Sequence, residues 1–266
     1  MTVPTPPRPK KRLGQHFLID PNIVRKILSV AALCPQDTVL EIGPGRGALT
    51  RPLCEAVSRV IAIELDPGLA AYLTQTCTRY TNLDLRVGDA LEFSYESLPQ
   101  GTVVVANLPY YVSTPLLFRL FEARNRIRLM ILTLQLEVAR RLVARPATPE
   151  YGALSVLGQY FADPVIAFTI PDTCFRPRPD VGSAVVCLPP RDSCDGNTTA
   201  DEAFVQTVRA AFAHRRKTLV NSFRDAGIGL SDIHTAVDMS GIDPRRRAET
   251  LTVSEFMALT KALHPV

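Results

Sequence analysis

Three glycines at alternate positions, Gly43, Gly45 and Gly47, stand directly behind the apolar run TVLEI at 38–42. This spacing lets a backbone leave a strand sharply, approach a ligand with no side chain in the way, and enter a helix. The same change from short β-branched run to helical pattern then repeats along the chain. Strands are predicted at 59–64 (RVIAIE), 83–87 (LDLRV), 102–106 (TVVVA) and 129–134 (LMILTL). Helices are predicted up to about Ala56, from Pro67, from Thr114 and through QLEVARRLVA. A first helix begins at Pro21, with Ile23, Ile27, Leu28 and Ala31 on one face. Such an order predicts an α/β fold: parallel strands with helices on both faces.

Two later runs, PVIAFTI at 164–170 and SAVVCL at 183–188, are expected to extend the sheet as an antiparallel pair. The polar segment PPRDSCDGNTT at 189–199 reads as a linker. Beyond it, DEAFVQTVRAAFAHRRKTLVNSF and LTVSEFMALTKAL predict a small all-helical C-terminal domain. The expected division is a flexible basic tail at 1–12, a large domain at 13–190 and a helical domain at 200–266.

Composition excludes some classes. No apolar run approaches the roughly 20 residues that span a bilayer, and the basic start is followed by LGQHFLIDP rather than a long apolar region. A soluble, cytoplasmic protein is expected. The six cysteines form no CxxC pair and stand near no His at zinc-ligand spacing, so reduced thiols and no metal are expected. The net charge is only +4, but the positive residues are clumped. Lys10, Lys11 and Arg12 lie at the front, Arg215, Arg216 and Lys217 in the helical part, and Arg245, Arg246 and Arg247 near the end. Such clusters are either solvated surface or contacts to nucleic-acid phosphates.

The acids behind the strands narrow the ligand. Glu64 ends the second strand of the alternation about 20 residues after the glycines, where a carboxylate accepts both hydroxyls of a ribose. Asp89 follows the third strand and would meet the amino group of an adenine. Together they describe an adenosine-shaped crevice at the carboxyl ends of neighbouring strands. A dinucleotide dehydrogenase would use the same glycines and Glu64, yet it leaves NLPYY (Asn107 to Tyr111) without a task. There, the Asn107 amide oxygen and the Leu108 carbonyl can accept hydrogen bonds from an exocyclic amine. Pro109 stiffens the turn, and Tyr110 offers a ring to stack on a base. Phe175, just before RPRPDVGS, could close on the base from the other side.

Seven segments, in order between about residues 11 and 263, carry a resemblance. GQHFL, EIGPGRGALT, GDAL, NLPYYVSTPLL, CFRPRPDVGSAVV, HRRKTLVNSF and RRRAETLTVSEFMAL resemble the ribosomal RNA adenine dimethyltransferases of the KsgA family. The resemblance implies a Rossmann-like class I methyltransferase sheet with S-adenosylmethionine as donor. It also implies, as substrate, two adjacent adenines near the 3′ end of small-subunit (16S) rRNA, within the 30S subunit or its precursor. The family's cofactor positions fall on His16, Leu18, Gly43, Glu64, Asp89 and Asn107, with Gly45 beside them in the glycine turn. His16 departs from the asparagine of many members. The basic clusters become candidate RNA contacts, and a monomer is expected. The competing readings are a large-subunit rRNA methylase of the macrolide-resistance type, which shares the first five segments, and a non-catalytic ribosome assembly factor.

Overall fold

A computed structural model of the chain describes residues 4–10, 13–191, 198–214 and 217–265. Lys11, Arg12, Arg215 and Arg216, and most of the expected linker, lie outside the described residues. Residues 1–139 and 162–191 form one unit, and residues 140–161 and 192–266 a second.

The first unit is built on parallel strands in the expected alternation. A two-residue strand β1 (Phe17–Leu18) leads into α1 (Pro21–Ala31). Asp20 caps that helix by accepting from the Asn22 N–H, and Pro21 occupies its first turn. Then follow β2 (Thr38–Ile42), α2 (Thr50–Ala56), β3 (Arg59–Glu64), α3 (Pro67–Thr76), β4 (Leu83–Val87), β5 (Thr102–Asn107), α4 (Ser113–Glu122) and β6 (Ile127–Gln135). After α5 (Leu136–Leu142) and α6 (Ala153–Phe161) the sheet resumes with β7 (Val165–Ile170), the short β8 (Phe175–Arg176) and β9 (Ser183–Leu188).

The main sheet runs β4-β3-β2-β5-β6-β9-β7. From β4 to β6 every pairing is parallel, and β9 is antiparallel to both β6 and β7. Order reverses between β2 and β5: the chain leaves β2 toward β3 and β4, then returns to lay β5 on β2's other side. Such a switch point opens a crevice at the carboxyl ends of the strands.

Alternate strand residues face opposite layers. Val39, Val60, Val103, Val105, Ile131 and Val185 form one core with Ile23 and Ile27 of α1 and Leu53 of α2. α3 buries Leu69 and Leu73 and lies beside α2, its Thr76 hydroxyl accepting from Arg51 at 3.2 Å, and α4 buries Leu116, Leu117, Leu120 and Phe121. The central strands are buried along nearly their whole length, as strands covered on both faces must be. The terminal strand β7 instead alternates exposed and covered residues.

The second unit is helical. α6 packs with α7 (Thr198–Ala211), and α8 (Leu219–Asp225), α9 (Leu230–Ser240) and α10 (Val253–Leu263) complete it. It takes in residues 140–161, which the sequence reading assigns to the large domain. Within it Tyr160 stacks on Phe204, the Tyr151 hydroxyl donates to the Leu251 carbonyl at 2.7 Å, and Ala147 N–H donates to the Glu249 carbonyl at 2.8 Å. The segment read as one helix through HRRKTLVNSF breaks between α7 and α8. Phe212 stacks on Phe256, while Leu219 and Phe223 are fully buried after the turn.

Candidate cofactor and substrate cleft

At the switch point lies a cleft of about 290 Å³ walled by five segments. They are residues 13–17, the glycine turn, the ends of β3 and β4, and the turn after β5. Gly43 and Gly45 both have positive φ (69° and 58°) and line it. A Cβ on Gly45 would stand 3.0 Å from the Phe17 ring, so a side chain there would press on that ring as well as strain the backbone at positive φ.

Glu64 holds this turn together. Its Oε2 accepts the Gly45 N–H at 3.0 Å and its Oε1 the Asp66 N–H at 2.8 Å. Burial pushes its carboxyl above the usual range, against those two hydrogen bonds. Asp89 lines the same cleft and uses one oxygen to accept the Leu91 N–H at 2.8 Å. Asn107 donates its Nδ2 to the His16 carbonyl at 3.1 Å, which leaves its Oδ1 with no donor among the described residues. Leu108, Pro109 and Tyr110 follow it along the wall. His16 stacks on Tyr110 at 5.4 Å and 25°, and its Nδ1 donates to the Pro177 carbonyl at 2.9 Å.

Two expected site residues lie elsewhere. The Leu18 side chain points into the core, with strand alternation sending Phe17 to the cleft in its place; Leu18 lines two neighbouring hollows and not the cleft. Phe175 is 1% exposed, packs in the core and does not line the cleft. Its two-residue strand pairs with β1, and that pairing turns the ring inward.

The basic residues divide. Lys10 pairs with the buried Asp66 at 2.7 Å and is not a free cation. Arg246 is bound to Glu255 and donates to the Thr250 carbonyl at 2.6 Å, inside the helical unit. Lys217 pairs with Asp225. Arg245 is 89% exposed, beside Asp243, and Arg247 is half exposed, 3.9 Å from Glu249.

The sequence reading missed Asp66, Gln15 and Glu41. Asp66 receives Lys10 and Gln15, donates its N–H to Glu64 and caps α3 through Gly68. Its position two residues after Glu64, before Pro67, was a signal for the cap but not for the strap, residues 7–10 and 13–17, that it fastens. Glu41 is buried, its Oε2 has no hydrogen-bond partner among the described residues, and burial, with the nearby Glu64 charge, pushes its carboxyl up to about 8 against the pull of Thr50.

The chain matches the description of the family Ribosomal RNA adenine dimethylase over residues 8–264. It belongs to that family. It is similar to the Ribosomal RNA small subunit methyltransferase A of Moorella thermoacetica, at 44% identity over 96% of this chain and 92% of the relative. The protein of the same name from Geobacillus thermodenitrificans is 43% identical, over 97% and 92%. Among solved structures, a dimethyladenosine transferase from Plasmodium falciparum superposes with a TM-score of 0.79 at 26% identity, covering 92% of this chain and 96% of that one. The 23S rRNA methyltransferase ErmE gives 0.70 at 25%, covering 93% and 99%.

The chain is therefore a class I methyltransferase that uses S-adenosylmethionine. The cleft fits that group: a glycine turn bare of Cβ atoms, a strand-end carboxylate for a ribose and a second carboxylate further along the same edge. No helix of the described residues is long and apolar enough to cross a membrane.

Proposed function

We propose that this chain methylates the exocyclic amines of two adjacent adenines near the 3′ end of small-subunit rRNA, giving dimethyladenosines during assembly of the 30S subunit. It acts as a cytoplasmic monomer. The observation that carries the reading is the turn after β5, where Asn107, Leu108, Pro109 and Tyr110 line the cleft that also holds the glycine turn and Glu64. The small-subunit assignment is supported by relatives above 40% identity that carry that name.

When bound, S-adenosylmethionine supplies a methyl group already activated by its sulfonium. Glu64, Asp89, Gly43 and Gly45 would hold it, with His16 and Asn107 at the wall. The protein's remaining task is the amine, whose lone pair is delocalised into the adenine ring. Asn107 Oδ1 and the Leu108 carbonyl accept its two N–H groups and favour a pyramidal, partly positive nitrogen over the flat one. No strong base is needed, because the methylated nitrogen is acidic and loses its proton readily. Tyr110 stacks on the base and holds it in line. A base paired in RNA must first be splayed out, and exposed cations such as Arg245 and Arg247 grip the backbone around it.

The test is transfer of labelled methyl to small subunits that lack the modification, followed by mapping. Two adjacent dimethyladenosines near the 3′ end are expected. Labelling of large-subunit rRNA instead would favour the ErmE-like reading, and no labelling a non-catalytic assembly factor.

A further inference from the structure

Tyr110 carries a hydroxyl that stacking does not use. Its Oη lies 2.5 Å from Oγ of Ser183, which is fully buried. The sheet explains the meeting. Asn107 pairs with Thr133 of β6, and two residues on Gln135 pairs with Ser183, the first residue of β9. An antiparallel strand begins at the edge where the parallel strands end, so Ser183 stands beside the turn that follows β5.

The backbone of that turn is held separately. The Ser113 hydroxyl donates to the Tyr110 carbonyl at 3.1 Å, and the Val112 N–H to the Pro109 carbonyl at 3.2 Å. These bonds hold the backbone at Tyr110 and do not set the angle of its ring. Among the described residues, His16 stacks against the ring and Ser183 is the hydrogen-bond partner at its far end.

We infer that Ser183 is a positioning residue for methyl transfer. Its hydroxyl bond to Tyr110 Oη fixes the plane of the ring, so that with His16 covering one face the other is presented to the adenine. The inference rests on the methyl-transfer reading above. Without Ser183 the phenol loses its partner in a largely covered position and turns to find another. A small misplacement of a stacked base then costs rate, because in-line attack is a matter of orientation.

Ser183→Ala and Tyr110→Phe remove the bond from its two sides. Each should lower the single-turnover rate on unmodified small subunits by about tenfold, with S-adenosylmethionine affinity in calorimetry unchanged. The double variant should be no slower than Tyr110→Phe alone, since one bond cannot be lost twice. A merely structural role for Ser183 would multiply the two losses. Wild-type rate in Ser183→Ala, or multiplied losses in the double variant, overturns the inference. Should Ser183→Ala not fold, Tyr110→Phe decides, and an undiminished rate overturns it. Failure of the unaltered protein to methylate small subunits would instead sink the reading on which the inference rests.

Discussion

Glu64 gives both carboxylate oxygens to backbone N–H groups while lining the cleft, so its loss is felt twice. Glu64→Ala removes charge-assisted bonds made in ground and transition states alike, and should weaken S-adenosylmethionine binding by about 10- to 100-fold. Calorimetry checks this, and unaltered affinity would refute the ribose assignment. Asn107→Ala should act on rate instead, lowering turnover by roughly 10² to 10³ with much smaller loss of RNA binding. Asn107→Asp, which keeps an acceptor but alters its charge, should accumulate monomethyladenine in whatever activity survives, because the monomethylated base, with one amine hydrogen for two acceptors, must shift before the second transfer; mass spectrometry of digested RNA would reveal it. Glu41 governs a different property. Its proton is held more tightly in the folded chain, at about 8, than at the ordinary 4.5. The stability it contributes is thus complete at acid pH and is withdrawn as pH rises toward 8. Glu41→Gln should match the wild-type melting temperature near pH 5 and exceed it near pH 8; a constant gap between the two would show that Glu41 does not titrate this way. The placement of Glu64, Asp89 and Asn107 on one cleft was legible in the sequence because each ends or follows a strand of the parallel sheet. Phe175 was misread because its surroundings are set by pairing with β1, some 160 residues away, which no local pattern encodes.

At the scale of elements, the parallel strands were legible because burial on both faces leaves short β-branched runs with few alternatives. The helix α6 was not. Its ALSVLGQYF is apolar nearly all round, with Leu154, Val156, Leu157 and Phe161 buried, and so shows no clean stripe. The break between α7 and α8 was hidden for the opposite reason: the helical pattern runs through it, and the Leu219 N–H that opens α8 donates to the Arg246 carbonyl at 2.9 Å, far along the sequence. The glycine turn is the element most exposed to a single change. Gly45→Ala would add strain at positive φ and press on Phe17, displacing the N–H that Glu64 accepts. It should lower cofactor affinity while the melting temperature in the absence of cofactor falls by only a few degrees, roughly as expected for 1 kcal/mol. A variant with full affinity would show that the turn tolerates a side chain.

Across the whole molecule, cations that look alike in sequence do different work. Arg246 ties the loop before α10 to that helix through Glu255, which is also half of the Thr252 capping box. Arg246→Ala should cost about 1–3 kcal/mol in urea unfolding. Arg245→Ala and Arg247→Ala should leave stability alone and flatten the dependence of RNA affinity on salt. Equal effects of all three on stability would remove the distinction. The strap carries one more consequence, for anyone preparing the protein. A leader rich in proline and lysine invites trimming, and the sequence reads it as a loose tail. Yet the Lys10 ammonium balances a buried aspartate, and the Pro7 carbonyl receives the Arg46 guanidinium at 2.7 Å. A shortened version starting at Leu13 would retain every residue of the cleft. It would nonetheless strand a charge in the interior beside Glu64, and a preparation dismissed as inactive would have lost only its fastening.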